Sequence, residues 1–203
     1  MRRLLPAFLA LLCAAPALAA VPDPSRSSIS CLVTCPQGDF PVVVQVHDLA
    51  NNPIANSTVA LLFCVGGKPD AAQDVPTFRL CCDNLCAAPI IQTTNSVGIA
   101  VFQIEGGGHN LNAGACMVFA DGVLLGSRPI VSLDTDGNLN VDAADIAFVT
   151  GAMGSSNPLA DFNCSGVVDA TDLGFVENHV GHACHCPVPG HERTWGNLKL
   201  LYR

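Results

Sequence analysis

Two twelve-residue stretches near the end of the chain repeat one placement of oxygen-bearing side chains, which commits the local backbone to tight loops. One is D-T-D-G-N-L-N-V-D-A-A-D, Asp134 to Asp145; the other is D-F-N-C-S-G-V-V-D-A-T-D, Asp161 to Asp172. Superimposed, both carry an oxygen side chain at positions 1, 3, 5, 9 and 12. Alternate side chains of such a loop can turn inward around one hard cation, which takes six to eight oxygens at about 2.3–2.6 Å.

This spacing is that of an EF-hand loop and predicts two calcium ions. The first loop would use the side chains of Asp134, Asp136, Asn138, Asp142 and Asp145, with the backbone carbonyl of Asn140. The second would use those of Asp161, Asn163, Ser165, Asp169 and Asp172, with the carbonyl of Val167. Position 6 ordinarily needs a glycine for its sharp turn. Gly166 meets that need, whereas the first loop has Leu139 there. Sliding the register to place Gly137 at position 6 would leave Ala143, which has no ligand oxygen, at position 12. The apolar Val141 and Val168 share position 8, where paired loops are expected to meet backbone to backbone.

Behind each loop the apolar residues take a helical spacing. Ile146, Val149 and Thr150 follow the first loop, and Leu173, Val176 and Val180 the second, with Phe148 and Phe175 in equivalent places. Gly151, Gly154 and Ser155–Pro158 are expected to form the linker between repeats.

The start of the chain reads as an export signal over residues 1–20: Arg2 and Arg3, a short apolar run from Leu4 to Ala15, then small residues for cleavage. No later stretch is long and apolar enough to span a bilayer. The expected location is therefore extracellular or at the cell surface. Loss of the signal would take the formal charge from −8 to about −10. Seven of the acids lie in the two loops, so the acidity is a local ligand cluster. Without a basic stripe to meet phosphates, nucleic acid is excluded as a partner. The ten cysteines after Cys13 read as disulfides, and a bond from Cys164 to Cys184 or Cys186 is expected to tie the second loop to the far end of its helix.

Residues 21–131 read as β. Pro41–Asp48, Thr58–Cys64 and Gly98–Ile104 form strand-like runs, the last with Ala100, Phe102 and Ile104 on one face and Ile99, Val101 and Gln103 on the other. Cys116–Ala120, the Asp121-Gly122 turn and Val123–Gly126 make a hairpin signal. The order V-H-D-L-A-N-N-P-I-A-N-S-T-V (Val46 to Val59), then T-T-N-S-V-G-I-A-V-F (Thr93 to Phe102), resembles bacterial immunoglobulin-like domains of the invasin and carboxypeptidase-regulatory kind. That resemblance implies an immunoglobulin-like sandwich.

Over residues 132–186 the two loops and their helices resemble the dockerin family, whose loops end on Asp, as Asp145 and Asp172 do. The resemblance implies a duplicated, calcium-dependent, all-α module that docks onto a cohesin-like partner or surface scaffold. It also implies recognition through loop positions 10 and 11, here Ala143, Ala144, Ala170 and Thr171, which differ from the hydroxyl pairs of some members. Residues 187–203 form a tail holding the only Trp and Tyr, with Trp195, Leu198 and Tyr202 on one helical face.

The expected whole is a multi-domain, secreted and non-catalytic protein: an all-β sandwich, then the small all-α module. Two other readings stand beside docking. In one, calcium only stabilises a structural surface or matrix protein. In the other, the chain is an accessory carbohydrate-binding protein, for which the sandwich lacks aromatics other than Phe. A zinc site among His179, His182, Cys184, His185, Cys186 and His191 does not match the usual ligand spacing. No G-x-S-x-G is present, and His47 and His109 lack an evident nucleophile.

Overall fold

The computed structural model describes residues 20–63, 78–81, 89–112 and 114–185. The proposed export signal, Cys64, the Cys82–Cys86 insertion, His191 and the C-terminal tail lie outside the described residues.

Among the described residues are eleven strands and two short helices. In chain order they are β1 (Ser28–Ile29), β2 (Leu32–Thr34), β3 (Pro41–Gln45), β4 (Thr58–Leu62), β5 (Arg79–Leu80), β6 (Ile90–Thr93), β7 (Ile99–Gln103), β8 (Gly106–Gly107), β9 (Cys116–Ala120), β10 (Val123–Arg128), β11 (Ile130–Ser132), α1 (Ala143–Ala152) and α2 (Ala170–Asn178). Two antiparallel sheets, ordered β1-β3-β7 and β10-β9-β4-β6, enclose the larger core. Alternation supplies it: Val42 and Val44 from β3, Ala100 and Phe102 from β7, Val59 and Leu61 from β4, and Val118 and Ala120 from β9 all point inward. The β9–β10 hairpin turns through Asp121 and Gly122 at φ 47° and 83°, a primed turn whose twist suits the flanking strands.

A second core explains why the expected two-domain division fails. β2 and β11 pair in parallel, Ile130 to Leu32 through Ser132 to Thr34. Val33, Val131 and Leu133 from this segment pack in one cluster with Val141, Val149, Ala152, Phe162, Val168 and Val176 of the loop-helix repeats. Helices of ten and nine residues have too little apolar surface to bury against each other alone. They pack on each other and complete their burial in the cluster shared with the β2 and β11 segments. The chain is thus a small β-rich domain with two short helices, and not an immunoglobulin-like domain followed by an all-α module.

The disulfides reinforce this arrangement and correct the expected pairing. Cys164 bonds to Cys31, 133 residues away, and Cys184 bonds to Cys81, 103 residues away. Each joins the repeats to the β part of the chain. Gly151 also differs from expectation, lying inside α1 and not in the linker. Val180 falls beyond the end of α2 and is exposed, as are Thr150 and Phe148 on α1. No helix of the described residues is long and apolar enough to cross a membrane.

Candidate metal centre

The two loops share a backbone frame at an offset of 27 positions. Gly137 and Cys164, at position 4, have φ 74° and 55°; Leu139 and Gly166, at position 6, have φ 69° and 90°. Leu139 thus takes the left-handed conformation normally left to glycine.

The carboxylate at position 1 organises each turn. Asp134 Oδ1 accepts from the N–H of Gly137 at 2.9 Å and of Asn138 at 3.2 Å, and Oδ2 accepts from Leu139 at 2.8 Å. Asp161 does the same with Ser165 at 2.9 Å and Gly166 at 2.7 Å. The carboxylate at position 12 closes the loop. Asp145 accepts from Thr135 N–H at 2.6 Å and from Asp142 N–H at 2.8 Å. Asp172 accepts from Phe162 N–H at 2.8 Å and Asp169 N–H at 2.9 Å.

Position 9 has a second duty. Asp142 and Asp169 are the N-caps of α1 and α2, accepting from Ala144 N–H and Thr171 N–H, each at 2.7 Å. The reciprocal bond from position 12 completes a capping box in both repeats. The hydrogen bond from Thr171 N–H holds the Asp169 carboxyl below the usual range. One oxygen of each cap is thereby committed to the helix, and the other oxygen of Asp142 accepts from the amides of Asn138 and Asn140, each at 3.4 Å.

Asp134, Asp136 and Asp145 place carboxylate oxygens within 4.8 Å of one another. Asp134 and Asp145 are fully buried and Asp136 is exposed. Burial pushes the Asp134 carboxyl well above the usual carboxylate range, and the neighbouring charge of Asp145 adds to the rise. Burial likewise raises Asp145. Such carboxylates need a counter-charge. Among the described residues there are three arginines and no lysine, and the ion pairs are those of His179 and His182 with Asp39. No basic side chain among the described residues pairs with Asp134 or Asp145.

A cradle from the β part surrounds the first loop. Gly108 N–H donates to the Asp134 carbonyl at 2.8 Å. A Cβ on Gly107 would collide with the Asp134 carboxylate and touch the Leu139 side chain. The Ser132 hydroxyl donates to the Gly106 carbonyl at 2.9 Å, fixing β8 against β11. Nothing in the loop sequence signals this cradle, which comes from residues well upstream.

In the remaining positions, Asn138 Oδ1 accepts from Asn140 N–H at 2.8 Å, and its amide donates to Asp136 at 3.2 Å. In the second loop Asn163 Oδ1 accepts from Ser165 N–H, and the Ser165 hydroxyl lies 2.9 Å from the Val167 carbonyl. Oxygens of positions 5 and 7 thus sit side by side there. The hard oxygen set, the buried pair and the Gly107 cradle all fit a calcium ion in the first loop. The second loop repeats the frame with Asn163 in place of Asp136.

The expected contact of position 8 with position 8 does not form. Val141 instead exchanges backbone bonds with Gly181 and His182, and Val168 with Gly154 and Ser155. Each loop is thereby bonded to the segment behind the other repeat's helix. Both valine side chains turn into the shared core, which the crossed pairing allows. The four proposed recognition residues, Ala143, Ala144, Ala170 and Thr171, are all exposed in the first turns of the helices.

The chain matches no protein-family model, no curated protein and no solved structure.

Proposed function

We propose that this chain is a non-catalytic calcium-dependent docking protein of the cell exterior. The observation that carries the reading is the buried Asp134–Asp145 pair beside Asp136, which no basic side chain among the described residues neutralises. Asp134, Asp136 and Asp145, with Asn138 and the Asn140 carbonyl, would hold one calcium ion. Asp161, Asn163, Ser165, the Val167 carbonyl and Asp172 would hold a second, with Asp142 and Asp169 offering their second carboxylate oxygens, that of Asp142 in exchange for its bonds from the Asn138 and Asn140 amides. Calcium supplies the positive charge that lets the carboxylates converge. Ala143, Ala144, Ala170 and Thr171 then offer small, exposed contacts for a cohesin-like domain or surface scaffold. Phe148 beside them adds an exposed apolar side chain.

The test is capture by the immobilised full-length chain from the secreted fraction of its own source. A partner should be retained in calcium and released by a chelator. Ala144→Arg together with Ala170→Arg should abolish capture while leaving calcium binding intact. Capture indifferent to both calcium and these changes would count against docking.

A second reading is that calcium serves only as a staple in a structural surface protein. The core shared between the repeats and β2 and β11, with two disulfides across the same junction, favours it. Calcium-dependent stability without any calcium-dependent partner is its signature.

A further inference from the structure

A second cluster lies beside the first loop, where His182 bonds to Val141 and Cys35 to Gly106, and uses different chemistry. Cys35 and Asp39 come from the connection between β2 and β3, while His179 and His182 follow α2. Cys35 is buried and unpaired although two disulfides form among the described residues, and Cys81 of one of them lies 3.3 Å from the Pro36 carbonyl. The Cys35 Sγ is 3.6 Å from His182 Nδ1, and that nitrogen is 3.1 Å from Asp39 Oδ2. His179 Nε2 approaches the same Asp39 oxygen at 3.7 Å.

We propose that Cys35, Asp39, His179 and His182 form a binding site for a zinc-like divalent cation that clamps the end of α2 to the β part of the fold. Tetrahedral zinc with bonds of about 2.0–2.3 Å to sulfur, nitrogen and oxygen sets ligand–ligand edges of about 3.3–3.6 Å. The three measured separations fall around that range. Cys35, Asp39 and His182 already hold their ligand atoms within 4.8 Å of one another. Orientation supports the assignment independently. His179 Nδ1 lies 2.6 Å from the Phe175 carbonyl and so must carry its proton there. In the neutral ring Nε2 then turns a lone pair toward the Asp39 carboxylate. A metal-bound histidine is held in this way by its outer partner. Phe40 packs edge-on to Phe175 at 5.1 Å and against His179 at 6.0 Å, giving the site an apolar wall. Thiolate and imidazole select zinc or cobalt over calcium, so the cluster does not compete with the acidic loops. Neither does it use Cys184, which is bonded to Cys81.

The experiment is a cobalt(II) titration of the full-length, disulfide-formed protein in saturating calcium, followed by displacement with zinc. About one equivalent should bind with tetrahedral visible bands and a thiolate-to-cobalt charge-transfer band that zinc abolishes. Cys35→Ser should remove the charge-transfer band. His182→Gln should weaken cobalt binding at least tenfold, which keeps the test usable if the cysteine variant does not fold. Near-ultraviolet circular dichroism reports folding of each. A wild-type protein without the band at saturating cobalt, or a band that survives Cys35→Ser in folded protein, overturns the proposal. The first of these results would leave His179 and His182 as simple ion-pair partners of Asp39.

Discussion

Leu139 and Gly166 hold one backbone conformation, at φ 69° and 90°, each at the sixth position of its loop. A leucine is thus kept in the left-handed region where its partner repeat has a glycine. The surrounding bonds from Asp134 to three successive N–H groups are what hold it there. The two positions should therefore respond oppositely to substitution.

Gly166→Ala should cost about 1–2 kcal/mol, the penalty of a Cβ in that backbone region. The new methyl would meet nothing within 4 Å, so no packing term confuses the result. Urea unfolding in saturating calcium measures it. Leu139→Asn, a residue that tolerates this conformation, should lose less than Gly166→Ala or gain. Equal losses would show that the conformation is not what matters.

Calorimetry of the full-length chain should show two calcium binding events. Asp145→Ala and Asp172→Ala should each remove one. Each change also deletes half of a capping box and its bond to the loop entrance, so each should lose about 1–2 kcal/mol of stability even without calcium. A variant that keeps both binding events would refute the assignment of position 12.

Gly107→Ala tests whether β8 belongs to the first site. The added methyl must displace the Asp134 carboxylate. Calcium affinity of the first loop should fall at least tenfold while the second loop is unchanged, because no element of β8 reaches it in the same way. Loss at both loops, or at neither, would mean the cradle is incidental.

His109 predicts a pH dependence of stability. Its ring is buried, neither nitrogen has a hydrogen-bond partner, and burial lowers its pKa despite a small opposing pull from the Thr135 carbonyl. Between the lowered native value and the ordinary histidine range near 6.5, the unfolded chain binds a proton that the native chain does not. Stability must then rise with pH through that window and level off on either side of it. His109→Phe should flatten the slope. Thermal unfolding from pH 5 to 8 at fixed saturating calcium checks this, and an unchanged slope would exclude His109 as its source.

The sequence disclosed those elements whose burial is one-sided. β3, β4, β7 and the β9–β10 hairpin alternate because one face meets the core, and Ala100, Phe102 and Ile104 are buried as the pattern required. β2 and β11 escaped because three consecutive buried residues carry no period, and their parallel partners lie about a hundred positions apart. The helices announced an apolar face through Val149 and Val176 but not what would cover it. The other helix and the β2 and β11 segments cover it together, and the part played by those distant segments has no local signal. In the site, spacing alone placed Asp134, Asp136 and Asp145 together. The cap role of Asp142 and Asp169 follows from Asp standing just before a helical run, a signal that competes with ligand spacing at the same residue. The Gly107 cradle and the pairing of Cys31 with Cys164 depend on tertiary approach and leave no local trace.

The crossed backbone bonds of Val141 and Val168 make the two repeats mutually dependent. Each copy lends its trailing residues to the entrance of the other, so neither is self-sufficient. Severed from its twin, either repeat would leave those amides and carbonyls to water, with Gly154 and Gly181 on the two exchanged arms.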